Sequence, residues 1–153
     1  MGQFYTTVNA TSNATANTED TFIELFPPAN VAAIVKRIRV SFTPTPADNT
    51  ARIRMKRVSA AGATGTSGTI VKKRPSSAAT VSTSTVKNGT TAFTVGTLVD
   101  LVLDTAVNTR GIYEWVPRDD SDYIVSGVNQ RISLTLSVSA VSQVATAEME
   151  WEE

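Results

Sequence analysis

The chain of 153 residues contains no cysteine and no histidine. Without cysteine there is no disulfide, and no thiolate can act as a nucleophile or a metal ligand. Without histidine, neither the Ser-His-Asp and Cys-His arrangements nor ordinary zinc sites can form. We therefore expect no enzymatic activity and no cofactor, and only chemistry by carboxylates alone stays open.

Long apolar runs and a net charge are missing as well. The longest apolar stretches are interrupted by charges such as Lys36 and Asp100, and none approaches the roughly 20 residues that a membrane-spanning helix needs. The start of the chain lacks the basic and apolar segments of a signal peptide. We expect no membrane association. The formal net charge is zero, but residues 36–74 hold ten Lys and Arg and a single acid.

What the chain does have is β-forming composition. It contains 23 Thr, 14 Ser and 18 Val against 6 Leu, and β-branched residues favour strands. Short alternating segments separated by turn signals predict nine to eleven strands and no convincing helix. We predict an all-β protein with one antiparallel β-sandwich domain over residues 19–153, and a jelly-roll-like course of the chain.

Residues 1–18 are predicted to form an extended N-terminal arm. Phe4 and Tyr5 lie in a short strand over residues 2–8, and residues 9–18 are a polar linker that buries little. Two interpretations stay open. The arm is either a frayed tail or a strand that adds to a neighbouring subunit or partner.

Two strands are predicted to be strongly basic, over residues 31–43 and 50–58. In the first, Ile34, Lys36 and Ile38 fall on one face and the arginines on the other, and the short connection to the second predicts a hairpin. The basic residues are candidates for partner contact, together with the two aromatic residues of the arm: Phe4, Tyr5, Arg37, Arg39, Arg52, Arg54 and Lys56.

The last strand carries an acidic ladder with the same period of two, Glu148, Glu150 and Glu152. We predict that it lies beside a basic strand and forms cross-strand pairs that fix the register. The alternatives are a solvated charged face and a basic face that docks on an acidic protein surface. Aromatic side chains are not interleaved with the bases, so nucleic-acid binding is not expected.

Two smaller groups of residues also have two interpretations. Asp119, Asp120 and Asp122 crowd one turn and could ligate calcium, but they do not follow the EF-hand spacing and a solvated turn is preferred. Trp115 and Trp151 could stack on sugars. Trp151 shares its face with Ala and Met residues, which favours a place in the core.

The segments FIELFPPANVAAIVKRIRVS, ARIRMKRVSAAGATGTSGT and AEMEWEE resemble those of the head decoration, or cement, proteins of tailed bacteriophages. This resemblance implies a jelly-roll-like structural protein of the virion, without catalysis, assembled in the host cytoplasm. It would bind the major capsid protein on the capsid exterior as a homotrimer. The alternative is a tail-associated or receptor-binding module that recognises carbohydrate, which predicts Trp115 or Tyr113 exposed beside polar loop residues.

Overall fold

Alternation of apolar and polar side chains gives each segment one face to bury, so the chain folds as strands. The computed structural model describes residues 4–43, 48–73 and 82–153. Over these residues one 3-10 helix, Asp120–Asp122, accompanies twelve strands. In chain order they are β1 (Phe4–Ala14), β2 (Asp20–Phe26), β3 (Ile34–Phe42), β4 (Thr50–Val58), β5 (Thr66–Ser67), β6 (Ile70–Lys72), β7 (Thr83–Val86), β8 (Leu98–Asn108), β9 (Tyr113–Trp115), β10 (Ile124–Val125), β11 (Arg131–Val138) and β12 (Gln143–Glu152).

The strands form two six-stranded sheets. The first has the order β10–β3–β12–β1–β6, with β9 also paired to β3. The second has the order β5–β7–β2–β11–β4–β8. Pairing between the named strands is antiparallel throughout. The predicted all-β, antiparallel sandwich is confirmed, whereas a jelly-roll-like course remains a prediction.

The core lies between the sheets, and the central strands fill it with every second residue. The apolar side chains buried in β11 are Ile132, Leu134, Leu136 and Val138, and in β12 they are Ala145, Ala147, Met149 and Trp151. Ser133 and Thr135, on the other face of β11, are buried as well. A slip of one residue in β12 would move its apolar side chains to the outer face, where the glutamates lie. Burial on one face therefore fixes the register of the central strands.

Residues 4–14 are part of the sandwich, which corrects the predicted arm and linker. β1 pairs with β12 along most of its length and with β6 near its start. Tyr5 is buried and stacks on Trp151, with 5.7 Å between ring centroids, so it is a core residue in this structure. The polar composition misled the prediction because Ser12 and Ala14 are small enough to be buried. The Ser12 hydroxyl also donates a hydrogen bond of 2.8 Å to the Lys87 carbonyl.

The predicted hairpin of the two basic strands is wrong, because β3 belongs to the first sheet and β4 to the second. The connection between them, of which residues 44–47 lie outside the described part, passes from one sheet to the other. Proline ends a ladder in a hairpin and in a crossing between sheets alike. The proline-rich turn therefore predicted that the chain changes direction, but not which sheet the next strand joins.

In the described ranges, no helix combines the length and the apolar character that crossing a membrane requires.

Candidate interaction surfaces

The acidic ladder of β12 lies beside β3 on the outer face of the first sheet. Glu148 is opposite Arg39, and Glu150 is opposite Arg37. The Arg37 guanidinium donates a short hydrogen bond to Glu148 and lies 3.7 Å from Glu150 and 3.6 Å from Glu114 of β9. The hydrogen bond to Glu148 raises the pKa of Arg37 above its usual value. Arg37 is therefore held by three carboxylates of its own chain.

The predicted apolar face of β3 is wrong at the start of the strand, because β3 contains a β-bulge there. Between Glu150 and Trp151 the partner in β3 changes from Arg37 to Val35, so Lys36 has no partner residue in β12. The bulge places Val35 in the core and turns Lys36 outward. Lys36 then lies 3.0 Å from Glu152 and 3.8 Å above the Tyr123 ring. Burial lowers the pKa of Lys36, but hydrogen bonds with Glu152 and Tyr123 outweigh it and raise this pKa overall.

The bases of β4 lie on the opposite side of the molecule, where other acids meet them. Asp104 of β8 accepts two hydrogen bonds from Arg52, at 2.7 and 2.6 Å, and one from Arg54 at 3.3 Å. Glu19 lies 3.2 Å from Arg54 and 2.7 Å from Lys56. Burial raises the pKa of Glu19, but hydrogen bonds from Lys56 and Thr135 outweigh it and hold this pKa below its usual range.

The two basic strands therefore do not form one basic face. Arg37, Arg52, Arg54 and Lys56 are all ion-paired within the chain. Arg39 differs, because it is exposed and has no carboxylate within ion-pair distance in the part of the chain that the structure describes. Phe4 is half-buried at the start of β1. Contact of any of these residues with a partner remains a prediction.

The Asp104 ion pairs should make stability depend on acidic pH. The hydrogen bond from Arg52 is the largest cause that lowers the pKa of Asp104, from 3.8 to about 2. A carboxylate with a depressed folded-state pKa stabilises the fold above its unfolded pKa and loses this contribution as the pH falls through the folded one. We expect Asp104→Asn to lower the urea midpoint at pH 7, and the difference from wild type to shrink as the pH falls from 3.8 through about 2. The control Asp48→Asn, with a carboxylate 76% exposed, should change the midpoint little. An Asp104→Asn deficit that is as large at pH 2 as at pH 7 would contradict this origin.

The carboxylates of Asp119 and Asp122 accept hydrogen bonds within their own turn. Asp119 caps the 3-10 helix and accepts a hydrogen bond of 2.9 Å from the Ser121 amide. Asp122 accepts one of 2.7 Å from the Arg118 guanidinium. Among the residues that the structure describes, no group of three or more carboxylates is arranged to hold a metal ion. Calcium binding at this turn thus gains no support.

An open cleft, which the sequence did not predict, separates the edges of the two sheets. It has a volume of about 560 Å³. Its apolar wall is formed by Val102 and Leu103 of β8 and by Trp115 and Val116 at the end of β9. Its polar lining includes Arg57, Arg118, Ser121 and Asp122. Trp115 is half-buried there, whereas Trp151 is in the core. The sequence indicated only that Trp115 could stack on a sugar.

Comparison of the chain with protein-family models, with curated proteins and with solved structures finds no match.

Proposed function

We propose that this protein is a structural, non-enzymatic component of a bacteriophage virion that binds the capsid exterior as an oligomer and stabilises it. The observation that carries the proposal is the outer surface of the sandwich, where ladders of charge are paired within the chain on both sheets. Charge pairs of this kind fix the register of neighbouring strands, and strands in a fixed register form a rigid scaffold. The chain itself has neither histidine nor cysteine for catalysis.

The outer face of the first sheet is the proposed capsid-binding face. Arg39 projects from it as an exposed arginine, between Glu148 of β12 and Glu114 of β9 in the register of the strands. An arginine can bind a carboxylate of a partner through two parallel hydrogen bonds. An oligomer would repeat this weak contact, so that modest individual affinities combine to tight attachment. The major capsid protein is the proposed partner, and assembly in the host cytoplasm the proposed setting.

Sedimentation with virus particles tests the proposal. Purified protein, mixed with particles of the virus that encodes it after they are stripped of this protein, should pellet with them in a saturable amount. Arg39→Glu should weaken pelleting about tenfold or more, by analogy with central arginines of other interfaces. Arg118→Glu, in the exposed turn that lines the cleft, should pellet as wild type does. Absence of the protein from purified particles, together with no pelleting, would refute the proposal.

The cleft favours carbohydrate recognition as a second candidate function. Trp115 lies there beside Arg118, Ser121 and Asp122, and an aromatic ring with a few polar groups is a common lining of small-ligand sites. A glycan array probed with the full chain should then give hits that Trp115→Ala abolishes. An array without hits removes this candidate and leaves the first one unaffected.

A further inference from the structure

The cleft continues the core of the sandwich to its open side. Trp115 of β9 lies opposite Ile38 of β3. Leu103 of β8 lies opposite Met55 of β4. Ile38 and Met55 are fully buried, and residues directly opposite each other in paired strands share a face of the sheet. Trp115 and Leu103 therefore point inward, and both pack against the core, which holds the apolar wall of the cleft in place.

The two arginines that line the cleft are each paired with a carboxylate. The Arg118 guanidinium donates hydrogen bonds of 2.7 and 3.3 Å to the two carboxylate oxygens of Asp122. The Arg57 guanidinium donates one of 3.1 Å to Asp100 and one of 2.7 Å to the Val125 carbonyl. Two positive charges and two negative charges thus lie together, and the arginines bring no net charge to the cleft.

The cation beside Tyr123, another residue of the lining, is paired in the same way. Lys36 lies 3.8 Å above the Tyr123 ring and 3.0 Å from the Glu152 carboxylate. An acidic ligand would therefore meet cations that are already neutralised, and its charge would come close to the Asp122 carboxylate. Like charges brought together in a binding site oppose binding. The charges of the cleft thus disfavour an acidic ligand.

A neutral sugar matches both sides of the cleft. The Arg118–Asp122 pair presents N–H donors beside carboxylate acceptors, and a hydroxyl group both donates and accepts hydrogen bonds. A hexose ring carries hydroxyls on its edge and C–H groups on its face, and this face fits against an aromatic ring such as that of Trp115. The volume of the cleft, about 560 Å³, lies within the range of about 300–1,000 Å³ for small-ligand sites.

We propose that the cleft binds a neutral hexose unit of a glycan, with the face of the sugar on Trp115 and its hydroxyls on the Arg118–Asp122 pair. The inference rests on the second candidate function, carbohydrate recognition, and adds the class of sugar. It excludes uronic and sialic acids as ligands, although two arginines line the cleft. Capsid binding by the outer face of the first sheet does not depend on it.

A glycan array with neutral and acidic glycans, probed with the full chain, tests the proposal. Wild type should give hits with neutral glycans only. Asp122→Asn keeps the shape of the side chain but leaves Arg118 without its carboxylate. Hits with neutral glycans should weaken about tenfold, because a charged acceptor is lost, and hits with acidic glycans should arise, because Arg118 can then bind a carboxylate of the ligand. The matched control Asp48→Asn changes the net charge equally, at an exposed ion pair of 3.2 Å with Arg110, and should give the wild-type hits.

The salt dependence of binding gives a second readout that needs no variant. The affinity of the wild-type protein for a neutral glycan from the array should be the same at low and at high salt, since binding forms no ion pair with the ligand. Hits with acidic glycans as strong as those with neutral ones would overturn the inference and leave carbohydrate recognition standing, as would an Asp122→Asn variant with the wild-type hits. An array without hits would overturn both. Pelleting with particles is measured separately, so capsid binding is judged independently.

Discussion

Removal of residues 1–14 should abolish cooperative folding. The truncation deletes β1, which separates β12 from β6 in the first sheet. It would expose the edge of β12 and uncover Trp151, whose ring stacks on Tyr5. A domain of this size has a total stability of about 5–15 kcal/mol, and loss of an internal strand with a core aromatic residue removes much of that. We expect the truncated chain to lose its near-ultraviolet circular dichroism and its sigmoidal urea transition.

A single substitution provides a graded form of the same experiment. Tyr5→Ala should lower the free energy of unfolding by about 3–5 kcal/mol, the range for a buried aromatic residue changed to alanine. Val8→Ala, on the same strand but exposed, is the matched control and should cost about 0.5 kcal/mol or less. A truncated chain with an unchanged urea midpoint would instead restore the interpretation of residues 1–18 as an arm outside the domain.

The C-terminal strands were predictable because one face of each is apolar without interruption. In β12 the apolar residues recur at every second position, and the glutamates occupy the positions between them. Only one orientation of such a strand buries Trp151 and leaves the carboxylates outside. The position of β12 beside a basic strand followed from charge, because acidic and basic residues directly opposite each other stabilise a pair of strands.

The placement of β3 and β4 was not predictable from local pattern. Alternation identifies both strands, but it does not show which sheet a strand joins. The bulge at Lys36 was equally hidden, since a strict period of two places Ile34 and not Val35 in the core. The position of β8 was hidden for the same reason, because only the order of the strands in the described part of the chain shows that it is the last strand of its sheet.

The pair Lys87 and Asp20 had no sequence signal at all. The two residues are far apart in the chain, yet the Lys87 ammonium lies 3.1 Å from the Asp20 carboxylate with both side chains almost fully buried. The ammonium also donates a hydrogen bond of 2.9 Å to the Thr91 carbonyl. Asp20 accepts one of 3.4 Å from the Thr15 amide. The pair thus links the segment after β1, the start of β2 and the turn after β7.

Lys87→Met should therefore be strongly destabilising. The substitution keeps most of the side-chain volume but leaves the Asp20 carboxylate buried without its cation, and the Thr91 carbonyl loses its donor. Breaking a buried ion pair by removal of one partner costs about 3–5 kcal/mol. Urea denaturation at pH 7, followed by tryptophan fluorescence, measures the loss. Arg118→Met serves as the control, because its ion pair with Asp122 is exposed and such pairs contribute about 0–1 kcal/mol.

The double variant Lys87→Met with Asp20→Leu separates the charge from the packing. Replacement of a buried ion pair by apolar residues of similar volume is often neutral or stabilising, because neither charge then has to leave water. We expect the double variant to recover most of the stability that Lys87→Met loses, so that the two substitutions are strongly non-additive. If the free energy of unfolding of Lys87→Met lies within about 1 kcal/mol of the wild-type value, water reaches Asp20 and the ion pair is not buried as the structure shows it.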